Sequence, residues 1–182
     1  MLVLFAPVLS GIALAVALAL GRPVLFRQVR AGRDGVPFTV LKFRSMRDAA
    51  PGLPSDDAAR ITPFGRRFRA SGLDELPQLL NVLRGEMSLI GPRPLLLDYT
   101  ARYSPRQALR LRVRPGLAGA AQAMGRNAPP WPVRLEADAA YAATPPTLAG
   151  DARALLGSLR VLLSGRGATA PGHATTPPFE GE

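Results

Sequence analysis

The longest uninterrupted pattern in the chain comes first. From Leu2 to Leu20 nineteen residues run without a charge. As a straight helix they would measure about 28 Å, against about 30 Å for the hydrocarbon of a bilayer. The run lacks the polar face of a helix packed on one side and the basic start of a signal peptide, so a membrane segment fits best. Pro7, with Ser10 and Gly11 behind it, predicts a kink, and the helix either spans or dips into one leaflet and returns. Arg22, Arg27, Arg30 and Arg33 follow it and put the downstream domain on the cytoplasmic side.

Beyond the run the pattern breaks into short pieces. Val24 to Phe26 and Val36 to Phe43 read as strands around a Gly32-Arg33-Asp34-Gly35 turn. Residues 47–60 read as a polar loop, and 61–70 as a basic stretch. Leu76, Leu79, Leu80 and Leu83 recur at helical spacing and predict a helix over 73–83. Gly91-Pro92-Arg93-Pro94 must be extended and stiff. A second helix is predicted over 95–113, a Gly/Pro-rich loop over 115–132 and a helix over 135–141. Leu148 to Leu163 carries an apolar stripe (Leu148, Ala152, Leu155, Leu156, Leu159, Leu162, Leu163). Such a stripe is more often core, although Arg153, Arg160 and Arg166 beside it would suit an interfacial helix. The expected fold class is α/β in the loose sense, a mostly helical mixed α+β domain. The expected division is an anchor over 1–21, a catalytic domain over 22–163 and a Gly/Pro/Thr-rich tail over 164–182.

Composition narrows the chemistry. The 182 residues include no cysteine and a single histidine, His173, which excludes a disulfide scaffold, a thiolate or multi-histidine metal site and a cysteine nucleophile. A serine triad would have to use His173 in the tail. The net charge of +10 calls for an anionic partner: nucleic acid, lipid headgroups or phosphate esters. With aromatics at 6% and no interleaving of aromatic and basic residues, nucleic acid is the weakest of the three. Lys42 is the only lysine among 23 basic residues, a hint that a compact ammonium is wanted there.

Two constellations remain. Asp74-Glu75 opens an apolar helical run, where a carboxylate either caps the helix or stays ionised beside backbone N–H groups that hold a phosphate. Taken alone, the cap is favoured. Arg93 between two prolines is a guanidinium presented at low entropic cost, suited to bidentate phosphate binding, or else a surface arginine in a turn. Together they fit phosphate-ester chemistry at a bilayer surface.

Phe26-Arg27-Gln28-Val29-Arg30-Ala31-Gly32, Lys42-Phe43-Arg44-Ser45-Met46, Leu73-Asp74-Glu75-Leu76-Pro77-Gln78-Leu79-Leu80-Asn81-Val82-Leu83, Gly85-Glu86-Met87-Ser88 and Gly91-Pro92-Arg93-Pro94 occur in this order, followed by Arg114-Pro115-Gly116-Leu117 and Gly125-Arg126-Asn127. In these motifs the chain resembles the bacterial sugar transferase family, small monotopic phosphoglycosyl transferases. The tail motif Gly172-His173-Ala174-Thr175-Thr176 with Phe179 resembles the ending of its short members. The resemblance implies transfer of a sugar-1-phosphate from a UDP-sugar to undecaprenyl phosphate at the cytoplasmic face of the bacterial inner membrane. It implies Asp74 as the nucleophile that becomes phosphorylated, and Glu75 working with Mg²⁺ at the same site, so that Asp74 and Glu75 are also the metal candidates. Lys42, Arg69, Arg93 and Arg126 are the implied phosphate and substrate binders, and the anchor is expected to be re-entrant. The alternative is a non-catalytic, basic, membrane-associated binding protein of the same descent. Three departures stand out. The chain starts closer to the apolar run than family members do, Ala6 replaces a common serine before the anchor proline, and Gly119 to Met124 replaces a segment that usually carries Trp and Asn.

Overall fold

A computed structural model describes residues 2–48 (backbone alone for 2–5), 57–165, 167–170, 173 and 175–181. Most of the 47–60 loop, Arg166, Gly172 and Ala174 lie outside the described residues. The apolar run is helix α1, Leu2–Leu20, continuous with Pro7 inside it. One side of it packs on the domain: Val16 is fully buried against Phe43 and Phe68, with Leu9, Ile12, Ala13 and Leu20 around them. Leu14 and Leu18 stay exposed, the latter to 80%. An all-apolar helix therefore splits into a docked face and a bare apolar face. Among the described residues no helix is long and apolar enough to cross a membrane.

The chain is a mixed α/β fold, about half of it helical. Strands β1, Leu25–Ala31, and β2, Pro37–Phe43, pair antiparallel with Lys42 opposite Phe26 and Val40 opposite Gln28. The first strand is longer than the sequence predicts because its polar residues are not a loop: Gln28 and Arg30 alternate onto a cavity face. Short helices α2, Asp57–Arg60, and α3, Pro63–Ser71, follow, the second capped by the Thr62 hydroxyl accepting from the Gly65 N–H at 3.0 Å.

The predicted helix over 73–83 is divided. Residues Leu73–Glu75 form a 3-10 turn, and α4 begins only at Gln78 and ends at Leu83, because Pro77 has no N–H to carry the ladder back through Asp74. The predicted helix over 95–113 is divided too. A 3-10 turn, Leu97–Arg102, stops before Ser104, which starts α5, Pro105–Ala108, through a capping box with Gln107; a second 3-10 turn follows over Leu109–Arg112. The predicted loop over 115–132 holds order instead. Strand β3, Ser88–Ile90, pairs parallel with β4, Gly116–Ala118. Helix α6, Ala120–Ala123, comes next, and α7, Trp131–Ala143, begins four residues before the predicted start with Pro132 in its first turn.

The last helix, α8, has the predicted bounds, Leu148–Leu163, but its stripe is not core. Ala154 is buried, while Leu148 and Leu163 are 91% and 87% exposed. The chain then returns to the domain, and Phe179 enters the core among Leu95, Tyr99 and Leu135, with the edge of Tyr99 against Trp131. The Trp131 indole N–H donates to the Pro177 carbonyl at 3.0 Å.

Candidate active site

Lys42, Arg69, Asp74, Glu75, Arg93 and Arg126 all line one open cavity of about 570 Å³. Five separate segments deliver them. Lys42 comes from β2, whose position is pinned by Asn81 of α4. That fully buried amide accepts from the Leu41 N–H at 3.1 Å and donates to the Thr39 carbonyl at 2.8 Å and to Glu86 at 2.7 Å. The helix that follows Asp74-Glu75 is thereby tied to the stretch of β2 that leads into Lys42. Gly72, at φ 69°, ends α3 and starts the turn that carries the two acids.

Arg93 is held by close backbone contact. A Cβ on Gly116 would lie 2.1 Å from the Gly91 nitrogen, so only glycine lets β3 and β4 approach there. The Gly91 N–H then donates to the Ala118 carbonyl and the Gly116 N–H to the Pro92 carbonyl, each at 2.8 Å. From the other side, Arg110 donates to the Arg93 carbonyl at 2.7 Å and to Asp138 at 2.8 Å. Arg126, at φ 56°, reaches back to the carbonyls of Arg69 and Ala70.

The two adjacent acids have opposite surroundings. Glu75 is saturated: its Oε1 accepts from Lys42 Nζ at 3.0 Å and Arg93 Nη2 at 2.5 Å, and its Oε2 from Arg93 Nη1 at 3.3 Å. Asp74 is buried and caps no helix, and its Oδ1 makes no hydrogen bond. The capping role favoured from sequence is therefore replaced by a carboxylate left free at a cavity wall. Burial pushes the Glu75 carboxyl up, but Arg93 and Lys42 together outweigh it and hold the group well below the usual carboxylate range. Burial, and after it the Glu75 charge, push Asp74 up to about 6 against the pull of Lys42, Arg69 and Arg93. At neutral pH Asp74 is thus ionised but poorly stabilised, a state suited to a nucleophile.

Surplus positive charge faces it. Among the described residues the Arg69 guanidinium donates to the Met46 sulfur alone, at 3.1 Å, and Arg30 is turned to Gln28. Burial lowers the pKa of Arg30 to about 10, with Arg93 adding to the effect. Such a wall is built for an anion of more than one charge. Arg30, Trp131, Arg134 and Thr175 line the same cavity and do not stand out as site residues in the sequence. The spacing of Trp131 and Arg134 on one helical face is the signal that could have found two members of this wall. Thr175, which hydrogen-bonds Asp57 at 2.7 Å, sits in a segment whose composition reads as plain tail.

Among the described residues no group of three acidic or histidine side chains is gathered to hold a metal unaided. Mg²⁺ usually takes one or two carboxylates together with substrate phosphates. The bare Oδ1 of Asp74 has the donor chemistry for that, and Glu75 would have to share oxygens already given to Lys42 and Arg93.

Residues 1–165 match the model of a family described as bacterial sugar transferase. The chain is 44% identical over 168 residues to EpsL of Bacillus subtilis (strain 168), an uncharacterized sugar transferase, covering 91% of this chain and 83% of that one. It is 50% identical over 131 residues to the UDP-glucose:undecaprenyl-phosphate glucose-1-phosphate transferase of Caulobacter vibrioides, covering 67% of this chain and 48% of that protein. The protein of the same name in Escherichia coli (strain K12) is 45% identical over 133 residues, covering 68% and 28%. The chain thus spans about half or less of these last two relatives.

Proposed function

The chain belongs to the bacterial sugar transferase family, and from that premise we propose that it transfers a sugar-1-phosphate from a UDP-sugar to undecaprenyl phosphate in two displacements at Asp74. In the first, a carboxylate oxygen of Asp74 attacks the β-phosphorus of the donor. The bond from that phosphorus to the bridging oxygen breaks, and UMP leaves with the electron pair. In the second, an oxygen of the lipid phosphate attacks the same phosphorus and Asp74 leaves as the carboxylate. One acid thereby serves both half-reactions, and no proton needs to move at the attacking oxygen.

The observation that carries this reading is the pairing of a saturated Glu75 with a bare Asp74 in one cavity. Arg93 and Lys42, held by Glu75, would face the donor phosphates, with Arg69 and Arg126 lining the same cavity. A Mg²⁺ bound between Asp74 or Glu75 and the diphosphate would offset charge between two anions. The acceptor is a lipid, and the bare apolar faces of α1 and α8 support a domain seated on the membrane with α1 lodged in one leaflet. The arginines after α1 favour the cytoplasmic face.

The test is incubation of the protein with a UDP-sugar and Mg²⁺ and no lipid acceptor. One UMP per protein is expected, with a sugar-phosphate adduct on Asp74 found by mass spectrometry. Asp74→Asn is expected to form no adduct and to lose turnover by more than about a thousandfold. Full turnover by that variant would refute the proposal.

A further inference from the structure

Among the described residues, eight buried side-chain nitrogen or oxygen atoms make no hydrogen bond, and four of the eight belong to three neighbours: Gln122 Oε1 and Nε2, Arg134 Nη1 and Asp138 Oδ1. These three residues line a separate small cavity of about 10 Å³, close to the least space that holds one water. Arg93, Arg126, Trp131 and Arg134 line both this cell and the large cavity, so the cell lies directly behind the wall of the site.

Two of the side chains are fixed by other contacts. The Arg134 guanidinium lies over the Trp131 ring at 4.1 Å. Asp138 accepts at its Oδ2 from Arg110 at 2.8 Å, and the Ala121 backbone also favours its charged form. Gln122 sits in α6, whose end is closed by its backbone carbonyl accepting from the Gly125 and Arg126 N–H groups. Neither Arg134 nor Asp138 can swing to water outside without giving up its contact.

The unsatisfied atoms amount to two donor groups, the Gln122 amide nitrogen and Arg134 Nη1, and two acceptors, the Gln122 amide oxygen and Asp138 Oδ1. Flipping the amide exchanges its two ends and leaves the count unchanged. A cation is repelled by Arg134 and an anion by Asp138. A neutral molecule that donates twice and accepts twice matches the set, and only water is small enough.

We propose that Gln122, Arg134 and Asp138 bind one structural water molecule, and that through it Gln122 acts as a positioning residue for Arg134 in the cavity wall. The positioning step rests on reading that cavity as the donor site; the water does not. A high-resolution crystal structure without donor is expected to show a solvent peak within hydrogen-bond distance of the Gln122 amide and Arg134 Nη1. An empty cell, or one closed by a direct bond from Gln122 to Arg134 or Asp138, would overturn the site.

Gln122→Met keeps the length of the side chain and removes its polar atoms. It is expected to lose the peak and to raise KM for the UDP-sugar about fivefold, the scale of one hydrogen bond, while kcat changes less than about twofold. An unchanged KM, or a loss in kcat alone, would overturn the positioning role. If wild-type protein releases no UMP from any UDP-sugar, the proposed function fails, and the solvent peak still decides the water site.

Discussion

Two ion clusters, one fully buried and one partly exposed, share Arg93, yet they are built on opposite plans. Arg110 and Asp138 are 2% and 4% exposed and paired charge to charge, with Tyr103 and the Arg93 carbonyl taking further guanidinium donors and only Arg110 Nε and Asp138 Oδ1 left unbonded in the pair. Glu75, Lys42 and Arg93 are open to the cavity and carry more positive than negative charge, with Asp74 uncompensated beside them. A closed pair contributes geometry: it holds the backbone of Arg93 still. An open cluster with a surplus contributes reactivity, since its charges are completed only by a ligand. Burial follows the same division, since Lys42, Glu75 and Arg93 keep 21%, 14% and 27% of their side-chain exposure. What distinguishes them is whether every charge already has its partner.

The largest effect is expected from breaking the closed pair. Arg110→Met should leave Asp138 buried without its cation and destabilise the fold by about 3–5 kcal/mol, seen as a fall in Tm. Arg110→Met with Asp138→Leu should regain most of that loss, because a buried pair replaced whole by apolar residues costs little. A double variant no more stable than the single one would show that the pair does more than hold geometry. The open cluster should respond the other way. Glu75→Gln keeps the shape and takes away the charge between Lys42 and Arg93, so UMP release is expected to fall about a hundredfold with Tm little changed.

The smallest effect sharpens the contrast within the dyad. In the proposed mechanism Asp74 must be ionised to attack, and burial raises its pKa to about 6, so UMP release without acceptor is expected to fall about tenfold from pH 7 to pH 5 along a single-proton limb. Glu75, held low by Arg93 and Lys42, stays charged across that window and adds no second limb. For stability the sign is reversed. The folded pKa of Asp74 is raised, so its contribution is full at low pH and is lost as pH rises through about 6. Asp74→Asn should therefore gain more in Tm over wild type at pH 7.5 than at pH 5.

The motifs around Asp74, Glu75 and Arg93 were legible because the prolines and glycines that shape these turns are local features of sequence. The Lys42 position was legible as an exception to arginine usage and through the Lys42-Phe43-Arg44-Ser45-Met46 motif. Helix boundaries over 73–83 and 95–113 were not, since Pro77 and the Ser104-Pro105 pair interrupt an apolar periodicity that runs on through them. The stripe of α8 could not be assigned to core or surface by spacing alone: the same leucines serve either, and only the packing leaves Leu148 and Leu163 bare. Gln122, Arg134 and Asp138 belong to no recognisable pattern across α6 and α7, because their meeting depends on how two helices dock and not on either one's sequence.

Arg44 donates to the Leu20 carbonyl at the end of α1 and lies two residues after Lys42, just past the end of β2. The hydrophobic helix and the ammonium are thus ends of one short rigid linkage. If α1 lies in one leaflet as proposed, that linkage would work as a depth gauge: it would set the standoff between the acyl chains and Asp74, so that a lipid phosphate at headgroup level would arrive already at the right height.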